Sequence, residues 1–202
     1  MKKVVVTGGL ASGKTTVCRL LRELGAYIVS ADEIVHELLE LPRVQEQVEQ
    51  ILHLKKDVSQ NTYRELVANL VFRDPQKLAK LEALLHPLVF HEIDKRYEEA
   101  KAQKTCPVFV AEIPLFYESA FPQTYDAVLC VTTDESIAKR RFCAQPGRSM
   151  ADFETRNARQ LPVEQKAKLA TYTLANKGTL NQLKHAVSEV FSLLTSTTRG
   201  AR

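Results

Sequence analysis

A short apolar run, Val4 to Val6, leads directly into Gly8-Gly9-Leu10-Ala11-Ser12-Gly13-Lys14-Thr15, and this junction constrains the fold more than any other stretch of the chain. It satisfies the phosphate-loop spacing G-x-x-x-x-G-K-[ST]. The β-branched residues ahead of it predict a strand, and the apolar spacing in Thr16-Val17-Cys18-Arg19-Leu20-Leu21 predicts a helix behind it. Glycines let the backbone curl so that several N–H groups point inward at phosphate oxygens, at the positive end of a helix. Lys14 then reaches the β- and γ-phosphates, and the Thr15 hydroxyl is placed to ligate Mg²⁺. The alternative, a glycine-rich turn before an ordinary helix, does not account for the flanking strand and helix. The junction reads as a site for a nucleoside triphosphate.

Further strand-like runs occur at Tyr27–Val29, Val108–Ala111, Ala127–Val131 and Thr171–Leu174, with helical patterns between them. Strands alternating with helices predict an α/β fold: a P-loop-type parallel sheet of five strands, flanked by helices. In such sheets the ligand lies at the carboxyl ends of the strands, where the phosphate loop leaves the first one. The chain of 202 residues suits one such domain. Its core is expected at about 1–31, 104–133 and 163–194.

From Asp32 to Gln103 the pattern is almost wholly helical, too long for one crossover helix. Ile34, Leu38, Leu39 and Leu41 mark a helix ended near Pro42, and Leu66, Leu70 and Val71 mark another stopped by Asp74-Pro75. Leu78, Leu81, Leu84 and Leu85 predict a third that closes at His86-Pro87, and Val89, Ile93 and Tyr97 begin a fourth. The segment 32–103 is expected to be a helical insertion beside the nucleotide core, holding the second substrate. A second excursion, 134–162, has two helices broken by Gln145-Pro146-Gly147-Arg148-Ser149 and reads as a mobile lid. Leu180, Leu183, Val187, Val190, Phe191 and Leu194 form one face of a last helix, and 195–202 is expected to fray.

The remaining residues narrow the function. A guanine-reading switch needs D-x-x-G, and no aspartate lies three residues before a glycine; Asn176-Lys177-Gly178-Thr179 lacks the aspartate of N-K-x-D. Asp32, just past the second strand, is placed either as a general base for an attacking hydroxyl or as a helix N-cap. Glu112 ends the strand Val108–Ala111 as a carboxylate that holds Mg²⁺ through water, or as an ordinary acid at a strand terminus. Arg140, Arg141 and Arg148 are either phosphate clamps or a solvated basic face. Arg64 is a phosphate ligand or solvated, and His86 a substrate contact or a polar helix end. The net charge of +4 is spread without a basic block, so no nucleic-acid partner is expected. Cys18, Cys106, Cys130 and Cys143 form no C-x-x-C pair and read as reduced thiols rather than a zinc site. No apolar run suits a bilayer and no signal-peptide pattern is present, so the expected setting is the cytoplasm, away from membranes.

In order and spacing these pieces resemble the dephospho-coenzyme A kinase family from about residue 3 to residue 194. The family pattern T-G-G-x-x-S-G-K-[ST] corresponds to Thr7–Thr15, the aspartate after the second strand to Asp32, and R-x-x-L-x-x-x-V-F to Arg64–Phe72, with Val67 at the leucine position. L-H-P corresponds to Leu85-His86-Pro87, P-L-[LF]-[FY]-E to Pro114–Glu118, Q-x-P to Gln160-Leu161-Pro162 ahead of Lys166, and an asparagine–glycine pair to Asn176 and Gly178. Ser30, Glu112 and Thr171 stand where the family usually has aspartate, and Gln145-Pro146-Gly147 replaces R-D-G, with Arg148 in place of the missing lid arginine.

The resemblance implies transfer of the γ-phosphoryl group of ATP to the ribose 3′-hydroxyl of dephospho-coenzyme A. Asp32 acts as base, and Lys14 and Arg141 stabilise the transferring charge. Gly8, Gly9, Ala11, Ser12, Gly13, Lys14, Thr15 and Thr16 hold the phosphates, and Asn176 and Gly178 lie near adenine. Thr15 and Glu112 hold Mg²⁺. Asp32, Arg64, His86, Glu118 and Arg148 bind the acceptor. A monomer or weak homo-oligomer is expected. The alternatives are another P-loop nucleotide or metabolite kinase, and a nucleotide-binding regulatory protein without catalysis.

Overall fold

The structure, a computed structural model, describes residues 1–54, 60–72, 74–119 and 125–196. Its chain divides into two compact units, one of Met1–Ser30 with residues from Arg96 onward, the other of Ala31–Lys95.

The first unit is built on a parallel sheet of β1 (Lys2–Gly8), β2 (Tyr27–Ser30), β3 (Val108–Glu112), β4 (Ala127–Thr132) and β5 (Tyr172–Ala175). Its order is β2-β3-β1-β4-β5, parallel throughout. The central strands read as continuous apolar runs because a parallel sheet is covered on both faces; Val4, Val5, Val6 and Val108 to Ala111 are buried without exception. Helices α1 (Lys14–Glu23) and α9 (Leu180–Ser196) are included in this core. Val17, Leu20 and Leu21 of α1 join Leu183, Val187, Val190 and Leu194 of α9 in one cluster with Val4, Val6, Val110 and Leu129 of the strands. Of the last-helix pattern these four residues of α9 are core and Phe191 packs against them, whereas Leu180, in the first turn, is exposed. Of the tail expected to fray, Thr195 and Ser196 close α9, and 197–202 lie outside the described residues.

In the second unit α2 (Ala31–Leu38) is followed by α3 (Pro42–Leu52) and α4 (Gln60–Phe72), and α5 (Pro75–Gln103) runs out of it beyond Lys95. Pro42, expected to end one helix, also begins the next, since its fixed φ and missing N–H suit the first helical position. Val44, Val48 and Leu52 of α3 pack with Tyr63, Val67 and Val71 of α4 and Leu81 and Leu85 of α5. Asp74 caps α5, its carboxylate accepting the N–H groups of Gln76 and Lys77 at 3.0 and 3.2 Å.

The helix break expected at Pro87 is absent: α5 continues through it and is 29 residues long in all. An interior proline destabilises a helix by about 3 kcal/mol. Leu81, Leu85, Val89 and Ile93, at i+4 spacing on either side of it, are all buried. Each contributes roughly 1.5–3 kcal/mol, so together they outweigh the proline. His86 is therefore inside a helix rather than at its end.

The segment 134–162, expected to be a lid, belongs to the first unit and forms α6 (Glu135–Cys143) and α7 (Met150–Asn157), followed by α8 (Val163–Leu169). Ser149 and Asp152 make a reciprocal capping box that starts α7 just after the polar break. Phe142 and Phe153 meet edge to face at 5.6 Å and, with Ala138, form a small apolar cluster against which Leu10 and Ala11 of the glycine loop pack.

Candidate active site

The glycine loop leaves the C-terminal end of β1 and turns into α1. Two of its glycines are required by geometry. Gly8 has φ 145°, and a Cβ there would sit 2.1 Å from the Val131 carbonyl oxygen of the neighbouring β4. Gly13 has φ 97° and starts α1, and a Cβ there would meet the Asn176 amide nitrogen at 2.3 Å. Ala11 holds a left-handed φ of 52°, which an L-residue adopts only where its surroundings impose it.

Lys14 is 9% exposed and turns back over the loop, donating to the carbonyl oxygens of Gly9 at 2.8 Å and Gly8 at 3.4 Å. The Thr15 hydroxyl donates to Glu112 Oε1 at 3.1 Å. Glu112 is the last residue of β3, in register with Val6 of β1 and Ser30 of β2, so three parallel strands present their carboxyl ends around this carboxylate. The Cys18 thiol, one turn further along α1, also donates to Glu112. Burial pushes it well above the usual thiol range, with the Glu112 charge adding and Lys14 and Arg22 opposing. Burial likewise pushes Cys130 up to about 11. All four cysteines are free, and these two are neutral core thiols rather than nucleophiles.

Arg141, in the last turn of α6, has a buried Nη1 with no acceptor among the described residues, and that nitrogen lies 3.9 Å from where a Gly13 Cβ would stand. The buried Ser12 Oγ is also without a partner among the described residues. A buried guanidinium N–H left without an acceptor is costly, and an anionic oxygen at Gly13 would satisfy it. Asn176 approaches from the turn after β5, and its amide nitrogen donates to the Ser12 carbonyl at 2.8 Å. Lys177 in the same turn pairs with Asp134, the residue before α6, at 2.6 Å. The first unit thus gathers Gly8 to Thr16, Glu112, Arg141 and Asn176 around one loop.

Other anticipated residues sit elsewhere. Gly178 lies two residues past Asn176, where a Cβ would strike the Gln182 side chain. Arg148 stacks its guanidinium on Phe142 at 5.4 Å, within the lid and exposed. Glu118 pairs with Lys166 at 2.7 Å and accepts the Leu161 N–H at 2.8 Å. In the second unit Asp32 is exposed, inside the first turn of α2 rather than at its cap. Arg64 reaches Glu40 at 3.4 Å. His86 stacks on Phe90 at 5.8 Å, and burial lowers its pKa below the usual imidazole value against the pull of Glu82.

Lys166, which follows the Q-x-P motif, has no role assigned to it by the sequence. It is fully buried, and its ammonium donates to Glu118 Oε1, the Pro114 carbonyl at 3.1 Å and Gln160 Oε1 at 3.4 Å. The signal was a lysine on an otherwise ordinary helix four residues after a proline, which names no partner.

A parallel sheet whose first strand runs into a glycine loop, with lysine, threonine, a strand-end carboxylate and an arginine of α6 converging on it, defines a P-loop kinase. Residues 3–182 match the dephospho-CoA kinase family, and the chain belongs to that family. A dephospho-CoA kinase of Protochlamydia amoebophila is 40% identical over 196 residues, covering 96% of this chain and 97% of that protein. A crystal structure of a Thermus thermophilus protein superposes with a TM-score of 0.78 at 30% identity, covering 96% of this chain and 98% of that one. The dephospho-CoA kinase of Campylobacter jejuni shares the fold, with a TM-score of 0.67 at 23% identity over 97% and 98% of the two chains. The chain is a phosphotransferase of the kinase class, and the family uses ATP as phosphoryl donor. Among the described residues no helix is long and apolar enough to cross a membrane.

Proposed function

We propose that this chain phosphorylates the ribose 3′-hydroxyl of dephospho-coenzyme A, the acceptor named for its family. The observation that carries the reading is the convergence of Lys14, Arg141 Nη1 and the Thr15–Glu112 pair on the glycine loop. These groups supply positive charge and donors where the γ-phosphoryl group of ATP becomes most negative during transfer.

The acceptor oxygen bonds to the γ-phosphorus while the bond from that phosphorus to the β–γ bridging oxygen breaks. The hydroxyl proton passes to the Asp32 carboxylate, and ADP leaves. Lys14 exchanges its loop carbonyls for phosphate oxygens, and Arg141 gains the acceptor its Nη1 lacks. A Mg²⁺ ion fits this chain's residues. The Thr15 hydroxyl and the Glu112 carboxylate stand side by side at 3.1 Å, two hard oxygen donors, and Mg²⁺ takes few protein ligands beside water and phosphate. When bound, it neutralises charge on the phosphates. Arg64, His86, Glu118 and Arg148 serve the acceptor in this reading, and lid closure over the loop excludes water that would otherwise hydrolyse ATP.

The test is ADP release from ATP with and without dephospho-coenzyme A, with the acceptor followed by mass spectrometry. ADP release that depends on the acceptor, with one phosphoryl group gained, is the expected result. Nucleotide binding without stimulation by the acceptor would sink the proposal.

A further inference from the structure

Asn176 is 7% exposed and held from three sides. Its backbone N–H donates to the Thr132 carbonyl at 2.7 Å, and its own carbonyl accepts the Thr133 hydroxyl at 2.9 Å. With the backbone so fixed, the side chain reaches a residue 164 positions away, its amide nitrogen donating to the Ser12 carbonyl at 2.8 Å. The Lys177–Asp134 pair next to it ties the same turn to the start of α6. This is a rigid post pressed against the phosphate loop.

The consequence lies in one peptide group. A trans peptide is planar, with its C=O and N–H pointing in opposite directions. Holding the Ser12 carbonyl toward Asn176 turns the Gly13 N–H the opposite way. Gly13 accommodates this twice over: its φ of 97° suits glycine, and any Cβ would collide with the Asn176 amide at 2.3 Å.

We propose that Asn176 is a positioning residue of the phosphate loop, setting the Ser12–Gly13 peptide plane so that the Gly13 N–H is presented to nucleotide phosphate oxygens. The family resemblance places Asn176 near adenine, but its amide nitrogen is committed to the loop. The proposal deepens the nucleotide-binding reading and rests on it.

The test compares wild type with Asn176→Asp, which keeps the shape but replaces the donor, and with Asn176→Ala. Binding of inorganic tripolyphosphate, ATP and GTP is measured by calorimetry. Loss of the bond leaves the Ser12 plane free, so all three ligands weaken by the same factor, roughly tenfold, and the ATP-to-GTP preference is unchanged. Unchanged tripolyphosphate binding in both variants overturns the proposal, and a fall in ATP relative to GTP makes Asn176 a base reader instead. Should both variants melt below the assay temperature, amide spectra of the wild-type protein decide. The Gly13 resonance shifts on tripolyphosphate addition if the proposal holds, and an unmoved Gly13 amide refutes it. Wild type that binds neither tripolyphosphate nor ATP would instead overturn the underlying nucleotide reading.

Discussion

Replacing Lys166 by methionine exposes how much the site depends on one buried charge. Lys166 is 0% exposed, and its three N–H groups find three oxygens: Glu118 Oε1 at 2.7 Å, Pro114 O at 3.1 Å and Gln160 Oε1 at 3.4 Å. These acceptors come from the segment after β3 and from the end of the lid, so one ammonium ties both to α8. In Lys166→Met the Pro114 carbonyl keeps the Thr7 hydroxyl at 3.2 Å. The Glu118 carboxylate, 15% exposed, keeps the Leu161 N–H, and its Oε2 has no partner among the described residues. Breaking a buried pair by removing one partner costs about 3–5 kcal/mol, mostly because the other charge remains buried. For a chain of 202 residues that corresponds to a fall in Tm of roughly 6–20 °C. Removing both charges together, as in Lys166→Met with Glu118→Leu, relieves the stranded carboxylate, so the double variant is more stable than Lys166→Met alone. Urea unfolding of the four proteins in the cycle measures both effects. A single variant within 1 kcal/mol of wild type, or a double variant less stable than the single, would refute the reasoning.

Lys14→Ala removes a cation from the phosphate loop and is expected to lower kcat/KM on the order of 10³-fold with the fold intact by circular dichroism; near-normal turnover contradicts its role. Asp32→Asn lowers kcat by roughly 10²-fold or more while the ATP Kd stays within about twofold. If that variant chiefly lowers Tm, Asp32 serves the helix and not the reaction. His86 is held below its ordinary value of 6.5 by burial, so the unfolded chain binds its proton first as pH falls. Stability therefore declines as pH drops from about 6.5 toward the folded value, and His86→Gln flattens that part of the stability–pH curve measured by urea titration. An unchanged slope would show that other groups set it.

What was legible in the sequence follows the range of the forces involved. The phosphate loop could be read because its glycines and its flanking strand and helix are demanded locally, within a dozen residues. The five strands could be read because buried parallel strands are unbroken apolar runs, and their ends shifted by only a residue or two: β3 extends to Glu112, and β5 begins at Tyr172. Pro87 misled for the converse reason. Its local penalty is real, but Leu81, Leu85, Val89 and Ile93 bury on both sides of it, and a tertiary gain is invisible in a local rule.

The supporting contacts of the site were harder still. Asn176 and Ser12 meet across nearly the whole chain, and Lys166 finds Glu118 only once α8 has packed against β1 and β4. Composition marks neither. Cys18 read as a structural thiol, and it is one, but it also meets the Glu112 carboxylate that accepts the Thr15 hydroxyl.

The central claim, transfer to a ribose 3′-hydroxyl, is tested most directly by offering dephospho-coenzyme A and its 3′-deoxy analogue side by side with ATP and Mg²⁺. The account predicts stoichiometric ADP and a phosphorylated product with the first, and only background ADP with the second. Equal turnover of the two, or ADP release from neither, would contradict it.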